Sequence, residues 1–81
     1  MDKHIIVGVH IVDRETHALV VQGILTKYGT HIQTRLGLRD NVCPMNGLVL
    51  LEMADTLETG QMIDEIEAID GVDCQAMVFE H

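Results

Sequence analysis

The sequence predicts an α+β fold in which an antiparallel four-stranded sheet carries two helices on one face, in the chain order β-α-β-β-α-β. Four segments alternate with period two, and two segments between them repeat apolar residues every three or four positions. A shift of 42 residues lays the second half on the first, with Asp13 on Asp55, Val20 on Met62, Val21 on Ile63, Ile24 on Ile66, Gly29 on Gly71 and Gln33 on Gln75. That match suggests two split βαβ units related by a pseudo-twofold. With 81 residues the chain makes one domain, residues 1–81, and leaves no room for a second.

The first strand runs from Ile5 to Val12, with Ile5, Val7, Val9 and Ile11 on one face and Ile6, Gly8, His10 and Val12 on the other. From Arg14 to Tyr28 the spacing of Ala18, Val21, Ile24, Leu25 and Tyr28 predicts a helix, with Asp13 placed to cap it and Gly29 to end it. His31 to Leu38 reads as a second strand with Ile32, Thr34, Leu36 and Leu38 opposite His31, Gln33, Arg35 and Gly37. The turn formers Asp40, Asn41, Pro44, Asn46 and Gly47 then connect to a third strand, Leu48 to Ala54. Asp55 or Thr56 caps a second helix through Ile69, with Leu57, Met62, Ile63, Ile66 and Ile69 inward and Glu58, Asp64, Glu65 and Glu67 mostly outward. Gly71 ends it, and Val72 to Phe79 forms the fourth strand.

The repeat also assigns faces. Val7, Val9, Ile11, Ile32, Thr34, Leu36, Val49, Leu51, Met53, Cys74, Ala76 and Val78 are expected under the helices. Ile6, Gly8, His10, Gln33, Arg35, Leu48, Leu50, Glu52, Gln75, Met77 and Phe79 fall on the opposite face, which no helix is left to cover. An 81-residue chain has limited buried surface, and this face exposes too many large apolar groups for a monomer of that size. Ile6, Leu48, Leu50, Met77 and Phe79 are therefore expected to form the interface of a homo-oligomer, a dimer or tetramer. The strand order 4-1-3-2 leaves strands two and four as edges that can also pair between copies.

Thirteen acidic residues against five basic ones give a formal charge of −8. Nucleic-acid affinity needs Lys and Arg to displace counterions, so direct nucleic-acid binding is not expected, nor is an anionic membrane surface. All five bases lie in residues 1–46, whereas residues 47–81 hold nine acids and no base. That asymmetry makes one surface anionic, and the acidic second helix could meet a basic protein partner. No apolar run approaches the roughly 20 residues that cross a bilayer, and the apolar N-terminal run has no small-residue cleavage site. A soluble, cytoplasmic protein is expected. Cys43 and Cys74 give neither a disulfide framework nor a CxxC pair, which fits a reducing compartment.

The sequence contains no glycine-rich phosphate loop, no HExxH, no GxSxG and no calcium-loop motif, so no catalytic residue is assigned and enzyme activity is not expected. Its cofactor, if it has one, is unknown. Three histidines, His4, His10 and His31, fall on the proposed open face but are too far apart to converge on one ion within a chain. A metal or haem sensor would need ligands from two copies, drawn from His10, His31 and Cys43, since a Cys-Pro pair such as Cys43-Pro44 can offer a thiolate to haem iron. Solvated histidines and an incidental loop thiol explain the same residues. Cys74 maps onto Ile32 and reads as an apolar filler. Asp13-Arg14-Glu15-Thr16 stands where a strand gives way to a helix, a place where free N–H groups can hold a small anion, although helix capping by Asp13 explains the acid as well.

Asp13-Arg14, a helix ending Ile24-Leu25-x-x-Tyr28-Gly29 and then Ile32-x-x-Arg35-x-Gly37-Leu38 resemble the small ACT-like proteins named as regulators of the iron-only hydrogenase system. Gly47, Ala54-Asp55, Asp64-Glu65-Ile66 and Gly71-Val72 continue the resemblance over nearly the whole chain. It implies a ferredoxin-like fold of ACT type, related to the regulatory domain of the nickel-responsive repressor. It also implies a regulatory module that binds a small-molecule effector between subunits, linked to iron-only hydrogenase or anaerobic redox metabolism. Asp13, Arg14 and Arg35 are the ligand-binding residues expected on this basis. In the turn after the first strand, Glu15-Thr16 stand where ACT domains commonly have Pro-Gly. Arg35 is also expected to be the sole cation on the open face, where Glu52 of the neighbouring strand could pair with it.

Overall fold

The computed structural model describes residues 3–81 and has the expected element order. Strand β1 (Lys3–Ile11) leads into helix α1 (Arg14–Lys27), a single 3-10 turn (Gly29–His31) and strand β2 (Ile32–Arg39). Strand β3 (Gly47–Ala54), helix α2 (Leu57–Glu67) and strand β4 (Val72–Glu80) complete the chain. The strands form one antiparallel sheet in the order β2-β3-β1-β4. This is a ferredoxin-like α+β fold.

Strand β1 shows why the layers form. Ile5, Val7, Val9 and Ile11 are buried while the residues between them are half-buried, so one pleat face meets the helices and the other does not. Directly paired residues share a face, which places Leu51 and Met53 of β3 and Cys74 of β4 in the same core. Val21 and Leu25 of α1, Tyr28 just after it, and Met62 and Ile66 of α2 close it from above. Ala76 and Val78 share this side of the sheet yet remain exposed on the edge strand.

Helix α2 is capped by Thr56, whose extended backbone lets its hydroxyl accept the Thr59 N–H at 3.3 Å. The inward position at its start belongs to Thr59, buried with its hydroxyl donating to the Ala54 carbonyl at 2.7 Å; Leu57, expected inward, is 75% exposed. Asp13 does not cap α1 through its side chain. Its backbone is left-handed, at φ 50°, which is not the extended conformation a capping side chain requires, and its carboxylate instead accepts the Thr16 hydroxyl at 2.9 Å.

The largest departure from expectation is in β2. Ile32 pairs with Met53, but the next pairing is Thr34 with Glu52, so Gln33 is an extra residue and forms a bulge. Beyond it every side chain changes sides. Thr34, Leu36 and Leu38, expected under the helices, pair with Glu52, Leu50 and Leu48 on the open face. Arg35, Gly37 and Arg39 pair with Leu51, Val49 and Gly47 on the helix side. His31 is in the 3-10 turn before β2 and is not a strand residue.

Candidate functional site

The connection between β2 and β3 is built around Asp40. One carboxylate oxygen accepts the Val42 and Cys43 N–H groups at 3.0 and 2.9 Å, and the other accepts His10 Nε2–H at 2.9 Å. These donors favour the ionised form, the Cys43 amide most and His10 next, and hold the Asp40 carboxyl down to about 2. An ionised carboxylate only accepts, so the His10 proton is on Nε2 in this bond. The Cys43 carbonyl then accepts the Asn46 N–H at 3.0 Å and closes the loop.

This loop docks on the start of α1. The Asp13 N–H donates to Asn46 Oδ1 and the Arg14 N–H to the Met45 carbonyl, each at 3.0 Å. From the other side the Val12 N–H donates to the Gly71 carbonyl at 2.7 Å, and His17 Nδ1–H donates to the Val12 carbonyl at 2.6 Å. The amides expected to be open to an anion at Asp13 and Arg14 are thus bound by the chain itself. What remains open is a concavity of about 560 Å³ beside them, bordered by Arg14, Gly37, Arg39, Asn41, Pro44 and Asn46.

Of the described cations, Lys27 donates to Glu65 at 3.0 and 3.2 Å and lies 5.3 Å from the Tyr28 ring centroid. Tyr28 also donates to Glu65, so α1 and α2 are tied at one point, and both hydrogen bonds depress the Glu65 carboxyl. Lys3 is 3.9 Å from Glu80. Arg35 donates from Nη2 to Gln22 Oε1 on α1 at 2.5 Å; it is absent from the open face and does not pair with Glu52. The Glu52 carboxylate accepts instead from the Thr34 hydroxyl at 2.5 Å and His4 Nε2 at 2.6 Å, and these bonds lower it from the usual carboxylate range. Among the described residues, Arg14 and Arg39 have no acidic partner within ion-pair distance.

The expected metal ligands separate. His10 is beside the β2–β3 loop, with Cys43 exposed on that loop, whereas His31 precedes β2 at the opposite end of the sheet. No group of three His, Cys, Asp or Glu side chains that could hold an ion occurs among the described residues. Burial pushes the Cys74 thiol up to about 11, consistent with a packed filler.

The open face runs across all four strands in register. Leu38, Leu48, His10 and Asp73 form one row; Leu36, Leu50, Gly8 and Gln75 the next; Thr34, Glu52, Ile6 and Met77 the third; Ala54, His4 and Phe79 the last. All five expected interface residues are on it, and the bulge adds Leu36 and Leu38. Two residues of this corner lay outside sequence reasoning. Asp40 was visible only as a turn former, and Arg39 gained significance only through the reversal of faces in β2.

No protein-family profile and no curated protein matches this chain. Among solved structures, an uncharacterized protein from Thermotoga maritima superposes with a TM-score of 0.85 at 18% identity, over 99% of this chain and 100% of that one. A Deinococcus radiodurans protein provisionally named an antibiotic biosynthesis monooxygenase superposes with a TM-score of 0.51 at 18% identity, over 96% and 91% of the two chains. These likenesses show the shared fold. No described helix is long and apolar enough to cross a membrane.

Proposed function

We propose that this chain is an oligomeric, non-enzymatic regulatory module of ACT type that binds a small effector at the corner between the β1–α1 junction and the β2–β3 loop. The observation that carries the reading is the concavity of about 560 Å³ beside Arg14, held open by a loop that Asp40 organises. Its walls come from three parts of the chain, an arrangement suited to selective binding. The Deinococcus neighbour's name raises oxygenation as an activity of that protein; here neither the concavity nor the two His–carboxylate pairs contains a nucleophile in contact with a base.

A second copy of the chain is the occupant proposed for the open face. Four strands about 4.8 Å apart and eight residues long at about 3.3 Å give a flat area of roughly 500 Å². Corrugation by Leu36, Leu50, Ile6, Met77 and Phe79 brings the accessible area toward the ~800 Å² that each partner contributes to a standard interface. Charge favours the same contact. The acids of α2 are on the far side of the sheet, and of the two acids on this face Glu52 is held by His4 and Asp73, on the edge strand, accepts from Gln75, so two copies of a −8 chain can approach here with less repulsion than through α2.

The metabolic setting proposed is the one the sequence resemblance implies, iron-only hydrogenase or other anaerobic redox metabolism, with the exposed acids Asp64 and Glu67 of α2 offered to a protein partner. Titration of the isotope-labelled assembly with a panel of amino acids and nucleotides, followed by amide chemical shifts, tests the binding reading. Saturable shifts at Arg14 and through residues 37–46 are expected. Their absence with every compound contradicts it.

A further inference from the structure

Building on that effector-binding reading, we infer that the corner concavity is a site for a small oxyanion, a carboxylate or phosphoryl group bound by Arg14 and Arg39 together. Zwitterionic amino acids are not its ligands.

The two arginines converge because of the bulge at Gln33. In unbroken register Arg39 would point to the open face; with one residue inserted it pairs with Gly47 on the helix side. Gly47 neighbours both arginines: Arg39 pairs with it across the strands, and a Cβ built on it would be in ordinary contact, at 3.6 Å, with the Cβ of Arg14. Arg14 and Arg39 both line the same concavity, and neither has an acidic partner among the described residues. Paired forks of this kind match the lone pairs of a carboxylate or phosphate.

Selectivity follows from the single acid on the wall. Asp40 already accepts from two amides and from His10, which uses its oxygens for loop structure. An α-ammonium group entering the concavity would find two cations and no free carboxylate. A net anion meets the opposite situation, in a molecule whose net charge is −8.

The test is an amide chemical-shift titration of the full chain with inorganic phosphate, succinate and glycine as separate probes. The proteins are the wild type, Arg14→Gln, Arg39→Gln, the double variant and Arg35→Gln, each first matched for thermal unfolding. Saturable shifts through residues 37–46 are expected with phosphate, succinate or both, and the one that binds identifies the group as phosphoryl or carboxylate. Loss of either arginine should weaken binding roughly 10-fold or more, since hydrogen bonds to charged groups are the strong ones. Arg35→Gln, which removes a cation tied to Gln22 outside the concavity, should leave it unchanged. Binding that survives in the double variant, or glycine binding there as tightly as the anions, overturns the oxyanion inference while leaving an effector site in place. Silence at this corner with these probes and with the wider panel removes both.

Discussion

Asp40 shows how one side chain positions a site without belonging to its ligand contacts. Its carboxyl is lowered from the ordinary 3.8 to about 2, so the folded state binds this proton less readily than the unfolded chain. The stabilisation is therefore present above the unfolded value and is lost as pH falls through the range from about 4 to about 2. Replacing Asp40 by Asn should lower the denaturation midpoint at neutral pH, and the difference from wild type should shrink as the solution is acidified through that range. A constant difference across it would show that the carboxylate charge is not what stabilises the loop. Gly71 has a different role. Its φ of +82° is left-handed, and a Cβ there would come 2.8 Å from His17 Cε1, against the ring that holds the Val12 carbonyl. Gly71→Ala should cost about 1–2 kcal/mol for the backbone alone, measured by chemical denaturation. An unchanged midpoint would remove the strain argument.

Among the elements, β1, β3 and both helices were legible because their apolar periods describe the faces they bury, as with Val7 and Val9 in the sheet and Met62 and Ile66 in α2. β2 was not. Ile32, Thr34, Leu36 and Leu38 alternate so regularly that nothing in their order marks Gln33 as an insertion, and the 42-residue repeat reinforced the wrong faces by copying them from β4. Pairing with β3 decides the matter: the bulge sets Leu36 and Leu38 beside Leu50 and Leu48 and leaves the helix side of the edge strand to Arg35, Gly37 and Arg39. The same reversal moves Arg35 from the expected open face to Gln22 on α1, outside the concavity, and puts Arg39 on the helix side, where it lines the concavity with Arg14. Deleting Gln33 should give regular pairing while leaving residues 34–39 on their present faces. Nuclear Overhauser contacts between the Leu36 and Leu50 side chains should then persist, and their replacement by contacts between Arg35 and Leu50 would contradict the bulge.

For the molecule as a whole, charge and hydrophobicity are divided between surfaces. Five of the nine acids of residues 47–81, Glu58, Asp64, Glu65, Glu67 and Asp70, lie on α2 and the turn after it, the arginines without acidic partners lie where α1 meets the β2 edge, and the open sheet face carries the exposed Leu36, Leu38, Met77 and Phe79. A chain of 81 residues has limited core to stabilise it, so burying that face against a second copy would add to stability as well as set the assembly. The apolar content of the face was readable from sequence, since Ile6, Leu48, Leu50, Met77 and Phe79 all lie on it. Its full extent required the pairing of β2.

Association through that face is tested most directly by sedimentation velocity of the wild type beside the Leu36→Glu, Met77→Glu double variant. Both positions are more than half exposed in the single chain, so the charges can be introduced without disturbing the core. The wild type should sediment as a dimer or larger assembly, and the variant as the 9.0 kDa monomer with an unchanged circular dichroism spectrum. A monomeric wild type at tens of micromolar, or a variant that remains assembled, would contradict it.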